Sequence, residues 1–122
     1  METITRAAWL SLAAIHIMPA LPLIRPAMIA RLYGVDGEGP LALLLTHRAA
    51  MFAMVVAATL IAIFDPAARL LAVVVVAISM LSFLLLYTRA GLPAGAMRTI
   101  ALVDAAGLVP LAFVAVMAFR PA

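Results

Sequence analysis

The residues best suited to chemistry are His47 and Arg48, side by side within the apolar stretch LLTHRAAMF at positions 44–52. An arginine inside a membrane-spanning helix costs several kcal/mol unless a partner or a polar cavity receives it. Asp104 is the only acidic residue deep in an apolar run, so it is the natural partner of Arg48. Because arginine can grip a carboxylate through two parallel hydrogen bonds, we expect Arg48 and Asp104 to pair.

Counting along the helices predicts a polar layer at one depth. At a rise of 1.5 Å per residue, one polar residue of each spanning helix lies about 9–12 Å from the same end of the bundle. We predict that these residues form a ligand pocket together with the neighbouring histidine; the set is His16, His47, Arg48, Ser82 and Asp104. Tyr33 and Tyr87 fall on the same side of the membrane and are candidates to cover its mouth.

Each of these features also has a purely structural interpretation. The charged pair can fix which helices pack together without binding anything. His47 can hydrogen-bond across a helix interface or reach the headgroups, and His16 can donate to a carbonyl that Pro19 and Pro22 leave without its usual donor. Trp9, Tyr33 and Tyr87 lie near helix ends and are most simply aromatic residues of the membrane interface.

The composition places the chain in the membrane class. It is 69% hydrophobic and 11% charged over 122 residues, with a mean hydropathy of +1.29, whereas soluble domains are roughly half apolar and a quarter charged. Cysteine is absent, which excludes disulfides and thiolate ligands. The eight basic residues are scattered arginines, so no clustered basic face predicts a nucleic-acid partner.

Long apolar runs at 7–24, 41–64, 67–88 and 97–119 are each long enough to span a membrane as a helix. We predict an all-α integral membrane four-helix bundle that forms a single domain over residues 1–122. Pro26 opens and Gly34 closes PAMIARLYG, the pattern of a short helix, which we expect to lie in the membrane interface between the first two spans. Asp65 is a natural N-cap for the third spanning helix, with Pro66 after it.

Small residues favour contact between the second and fourth spanning helices, because small side chains let backbones approach closely. They are Ala49, Ala50, Ala53, Ala57 and Ala58 in the second helix, with Ala101, Ala105 and Ala106 in the fourth. This pattern agrees with the expected pairing of Arg48 and Asp104.

No cofactor or metal is predicted. His16 and His47 on different helices are a possible haem ligand pair, but such pairs are common by chance. The sequence HIM at 16–18, and Met51 and Met54 after His47, offer sulfur that suits Cu(I). Methionine is also an ordinary filler of helix interfaces. No Walker, G-x-S-x-G, H-E-x-x-H or C-x-x-C motif is present.

Four short motifs resemble a group of small bacterial membrane proteins related to the DoxX-like set. They are P-x-x-x-x-R-L-Y-G-V at 26–35, H-R at 47–48, D-P-A-x-R at 65–69 and Asp104. The resemblance implies a four-helix bundle in the bacterial inner membrane. Proteins of the DoxX-like set are associated with quinone-linked or redox-assembly roles, and the resemblance carries no set of catalytic residues.

Three functions follow from these observations. The first is a multi-pass membrane protein whose polar pocket binds a lipid, isoprenoid or quinone-like molecule. The second is a membrane-embedded isomerase or hydrolase acting on a lipophilic substrate, with His47 or His16 as acid–base and Asp104 as orienting group or base. The third is a structural or transport subunit; transport would require a homo-oligomer, because a protomer of 122 residues has little room for alternating access.

Overall fold

The computed structural model describes residues 1–120, and within that range every regular element is helical. The long helices are α1 (Glu2–Ala20), α3 (Gly39–Phe64), α4 (Arg69–Arg89) and α5 (Ala96–Ala118). The short helix α2 spans Met28–Tyr33, and single 3-10 turns cover Leu21–Leu23 and Pro66–Ala68. Four helical segments are long and apolar enough to cross a membrane, which confirms the predicted all-α fold and describes a multi-pass membrane protein.

The short helix between the first two spans is confirmed. It ends at Gly34, whose φ of 66° is left-handed and whose N–H donates to the Ala30 carbonyl. A side chain at that φ would be strained, so glycine suits the position. Ile29 and Tyr33 are buried in a cluster with Ala42 of α3. The apolar face of α2 therefore packs on one end of the bundle.

The hairpin between α3 and α4 shows the predicted cap. The Asp65 carboxylate accepts from the N–H of Ala67 at 2.9 Å, just before the 3-10 turn that leads into α4. Arg69 donates through Nε to the Ala62 carbonyl at 3.0 Å and also forms an ion pair with Glu2 at the start of α1. These contacts hold the first residues of α1 against the hairpin, so both lie at the same end of the bundle.

The order of helices around the bundle corrects one expectation. α1 packs against α3 and α5, and α4 packs against the same two helices, so α3 and α5 occupy opposite corners. The predicted contact between the second and fourth spanning helices is wrong. Short connections make α3, α4 and α5 consecutive neighbours, and α1 fills the remaining corner between α3 and α5.

The largest apolar core lies between the long helices. It contains Trp9 and Leu12 of α1 with Val76 and Met80 of α4 and Val114 of α5. Trp9 is 0% exposed, so its expected position as an interface aromatic is wrong. Its indole N–H has no partner within residues 1–120, and nothing in the structure explains this.

Candidate functional site

A cavity of about 490 Å³ lies between α1, α2, α3 and α5, at the end of the bundle that α2 covers. Its polar lining residues are His16, Tyr33, Arg48, Thr99 and Asp104. The rest of the wall is apolar and includes Ile15, Phe52 and Val103. Such a volume is typical of sites that enclose a small molecule, and apolar walls with a few polar groups are their usual lining.

The predicted depth of the polar layer agrees with the helix bounds. Arg48 lies nine residues after the start of α3, and Asp104 lies eight residues after the start of α5. Both are therefore roughly 12–14 Å from the same end. α1 contributes His16, which lies four residues before the helix ends at Ala20 and the 3-10 turn begins. Counting depth thus brings His16, Arg48 and Asp104 together on one cavity.

Arg48 does not form the predicted ion pair. Within residues 1–120 no ion pair or side-chain hydrogen bond joins Arg48 to Asp104, although both line the cavity. The guanidinium lies instead over two aromatic rings, 4.9 Å from the centroid of Phe52 and 5.6 Å from that of Phe83. Cation–π contact offsets part of the cost of burying the charge. Because α3 and α5 stand at opposite corners, the carboxylate is not in direct contact with the arginine.

The buried Nε of Arg48 has no hydrogen-bond partner among the described residues. The faces of the two aromatic rings attract the positive charge of the guanidinium, but they supply no hydrogen-bond acceptor for this N–H. Leaving a buried donor unpaired costs about 1–3 kcal/mol. The residue that carries this unsatisfied donor borders the cavity.

His16 is held by two hydrogen bonds and is 1% exposed. Its Nδ1 lies 2.8 Å from the Leu12 carbonyl, an acceptor, so Nδ1 carries the proton. Nε2 then accepts from the Ser79 hydroxyl at 3.3 Å. The carbonyl that accepts from His16 is thus that of Leu12, four residues earlier in α1, and not one that a proline leaves without its donor. His16 forms part of the cavity wall with both ring nitrogens engaged.

Ser79 is the polar residue of α4 that sequence analysis missed. It lies three residues before Ser82 and links α4 to His16 across the bundle. Ser82 is exposed, bonds only to the Ser79 carbonyl at 3.4 Å, and does not line the cavity. The expectation that Ser82 shares one pocket with His16 and Asp104 is therefore wrong. Residues three apart differ by about 60° around a helix, so Ser79 reaches His16 and Ser82 does not.

His47 faces a different surface. Its exposed side chain lines a groove between α3 and α4, together with Ser82, Met51 and Met54. Arg48, the next residue, borders both the groove and the cavity. Consecutive helical residues point about 100° apart, so the pair cannot face one pocket equally. The expectation that His47 lines the same pocket as Asp104 is wrong.

The two tyrosines also separate. Tyr33 is 9% exposed, lines the cavity from α2, and has a buried hydroxyl without a partner in the described part of the chain. Tyr87 donates its hydroxyl to the Pro93 carbonyl at 3.0 Å and stacks on Phe83. Tyr33 thus forms part of the cavity wall and does not cover its lateral opening, whereas Tyr87 links α4 to the connection before α5 and does not line the cavity.

The cavity opens sideways between α1 and α5. Its exposed lining residues belong to these helices alone; they are Ala14, Met18, Thr99 and Val103. In each helix the two residues are four apart, so they form matching strips along the edges of the opening. Three of the four side chains are apolar. In a membrane-spanning bundle, such a lateral opening faces lipid rather than water.

The residues considered for metals or haem are divided between two surfaces. His16 and Met18 line the cavity, whereas His47, Met51 and Met54 line the groove. Within residues 1–120, no group of three or more His, Cys, Asp or Glu side chains is placed to hold a metal ion.

Comparison with protein-family models, with curated proteins and with solved structures gives no match to this chain. Functional inference therefore rests on the cavity and its lining residues.

Proposed function

We propose that this protein binds a lipophilic molecule, such as a lipid, isoprenoid or quinone-like compound, in the cavity between α1, α2, α3 and α5. The observation that carries the proposal is a cavity of about 490 Å³ with largely apolar walls, lined also by Arg48 and Asp104, which form no ion pair with each other. The polar head of the ligand would meet these two side chains. The proposal includes the bacterial inner membrane as the location.

The lateral opening supports a ligand that arrives from the bilayer. Its edges are formed by α1 and α5 and extend from Thr99, near the start of α5, to Val103 at the level of the polar residues. A lipid-soluble ligand can reach the part at Val103 directly from the bilayer. The apolar tail of such a ligand can remain between α1 and α5 or in the surrounding bilayer.

The enzymatic alternative keeps two of its candidate residues on the cavity, His16 and Asp104. His47 lies in the groove outside it. His16 would have to release a hydrogen bond to act as a base. Binding thus has more support than catalysis, and turnover stays a prediction.

Filling the opening tests the proposal. Val103→Trp places an indole at the edge of the cavity, and we expect it to lower the amount of co-purifying lipophilic molecule by at least roughly tenfold, because the entrance is sterically blocked. The measurement is native mass spectrometry of protein purified in mild detergent, followed by organic extraction and mass analysis. The matched control is Leu102→Trp, since Leu102 is 64% exposed on the same helix and does not line the cavity.

The proposal is contradicted if wild-type protein retains no lipophilic molecule. It is also contradicted if Val103→Trp and Leu102→Trp retain as much of it as each other. Retention that falls equally in both variants would also count against it, since the loss would then not arise at the cavity. Unfolding of the Val103 variant is checked by its thermal midpoint in the same detergent.

A further inference from the structure

The donors and acceptors that the cavity leaves unpaired define the chemistry of the head group. Of the residues that line the cavity, two carry a buried donor without a partner in residues 1–120, Arg48 with its Nε–H and Tyr33 with its hydroxyl. Tyr33 belongs to the short helix α2 and Arg48 to α3, so the two residues come from different elements that border one cavity. A ligand head that pairs with either of them must accept a hydrogen bond.

Asp104 supplies the complementary acceptor. Its carboxylate lines the same cavity from α5 and makes no ion pair with any described residue. It is half-buried, so bulk water does not fully replace a partner. A carboxylate in a largely apolar site is stabilised by a donor. The ligand head therefore also needs a hydrogen to give.

His16 adds nothing to this set of free groups. Its two ring nitrogens are engaged with Leu12 and Ser79. Thr99 lies at the exposed edge, where it can contact a ligand that enters but does not define the inner end of the site. The inner end thus offers the guanidinium of Arg48 and the Tyr33 hydroxyl as donors and the carboxylate of Asp104 as acceptor.

We propose that the head group is an uncharged hydroxyl, so that the ligand is a lipid alcohol; this rests on the proposed binding function. A hydroxyl both accepts and donates hydrogen bonds, so one group can pair with a donor of Arg48 or Tyr33 and with the acceptor of Asp104. Its oxygen would accept from the donor, and its hydrogen would be donated to the carboxylate. The long apolar chain leaves through the opening between α1 and α5.

Charge argues for the same choice. The cavity holds one cationic side chain, Arg48, and one acidic side chain, Asp104, without a direct bond between them. An anionic head would be attracted by Arg48 but placed beside Asp104, and like charges in an apolar setting are costly. A cationic head meets the reverse difficulty at Arg48. An uncharged head that bridges the two side chains avoids both penalties.

The test compares three probes with one chain length, namely hexadecanol, hexadecyl methyl ether and palmitate. Each is titrated against the protein in detergent, and bound fractions are read by native mass spectrometry. The ether keeps the acceptor and loses the donor, so we expect it to bind roughly tenfold more weakly than the alcohol. Palmitate replaces the hydroxyl with an anion and is expected to bind more weakly than the alcohol as well.

Two substitutions assign the effect to named residues. Asp104→Asn removes the anionic acceptor, so the preference for alcohol over ether should shrink severalfold and palmitate should gain. Tyr33→Phe removes a donor, so alcohol and ether should weaken together with their ratio unchanged. Asp36→Asn, in the exposed loop before α3, is the matched control and should alter neither ratio.

The outcomes separate the two proposals. Binding of palmitate in preference to hexadecanol, or an alcohol-to-ether ratio that Asp104→Asn leaves unchanged, overturns the hydroxyl assignment while the binding function stands. If none of the three probes binds and Val103→Trp has no effect on retained molecules, both proposals fail. Should Asp104→Asn not fold, the alcohol-to-ether ratio in wild type and in Tyr33→Phe still decides the assignment.

Discussion

At the scale of single residues, the polar groups of this bundle divide into those that are satisfied and those that are not. His16 has a partner for each ring nitrogen and connects α1 to α4. Arg48 Nε and the Tyr33 hydroxyl have none among the described residues, and both border the cavity. A satisfied buried group contributes to packing, whereas an unpaired one at a cavity marks a place where a ligand gains binding energy.

The bond between His16 and Ser79 gives the first residue-scale prediction. In a double-mutant cycle of His16→Ala and Ser79→Ala, we expect a coupling of about 0.6 kcal/mol, the average for hydrogen bonds between membrane helices, and no more than about 1.7 kcal/mol. The free energy of unfolding is measured by denaturant titration in mixed micelles. The same cycle with Ser82→Ala in place of Ser79→Ala is the control and should show no coupling, because Ser82 bonds only within α4. Equal coupling for both serines would contradict the assigned bond.

The depth of the polar residues could be predicted from the sequence, but the direction of their side chains could not. Counting residues from the helix ends placed His16, Arg48 and Asp104 at one level, and the structure brings all three to one cavity. Direction depends on how each helix is rotated about its axis. The hydrophobic pattern sets this rotation poorly here, since apolar residues cover every face. His47 and Ser82 were misplaced for that reason.

At the scale of elements, connection length explains both a success and a failure of sequence analysis. The short connections at 65–68 and 90–95 make α3, α4 and α5 consecutive neighbours. In a four-helix bundle this order puts α3 and α5 on a diagonal, and that inference was available from the sequence. The expected pairing of Arg48 with Asp104 predicted a direct contact between α3 and α5 instead, which is wrong. The alanine-rich faces predicted the same contact, but small residues favour close packing against any neighbouring helix.

Gly107 shows how closely α5 approaches its neighbours. A Cβ atom added there would overlap the end of the Met80 side chain and lie 2.9 Å from Ile15 Cδ1. We expect Gly107→Val to lower the free energy of unfolding by about 1–3 kcal/mol through overpacking. The control is Ala106→Val, because Ala106 directly precedes Gly107 in the helix and is exposed. This substitution should change the free energy of unfolding by less than about 0.5 kcal/mol. Thermal unfolding in detergent gives the comparison, and equal shifts in the two variants would refute the close approach.

At the scale of the whole molecule, the bundle has two halves with different roles. Around Trp9, Val76 and Val114 the helices pack into a closed apolar core. Towards α2, where α1 ends at Ala20 and α3 and α5 stand on a diagonal, the helices leave the space that forms the cavity. Stability should therefore reside mainly in the first half and ligand selection in the second.

This division predicts opposite effects for substitutions in the two halves. Trp9→Ala should lower the free energy of unfolding by roughly 2–3 kcal/mol. That is less than in a water-soluble core, because the unfolded helix stays in an apolar solvent and only packing is lost. Protein that remains folded should keep the ratio of hexadecanol to ether binding. Asp104→Asn should change that ratio while shifting the free energy of unfolding by less than about 1 kcal/mol, since its carboxylate makes no ion pair in residues 1–120. Both quantities are measured on the same preparations. A large loss of stability in Asp104→Asn would mean that the polar layer holds the helices together, and that the two halves are not independent.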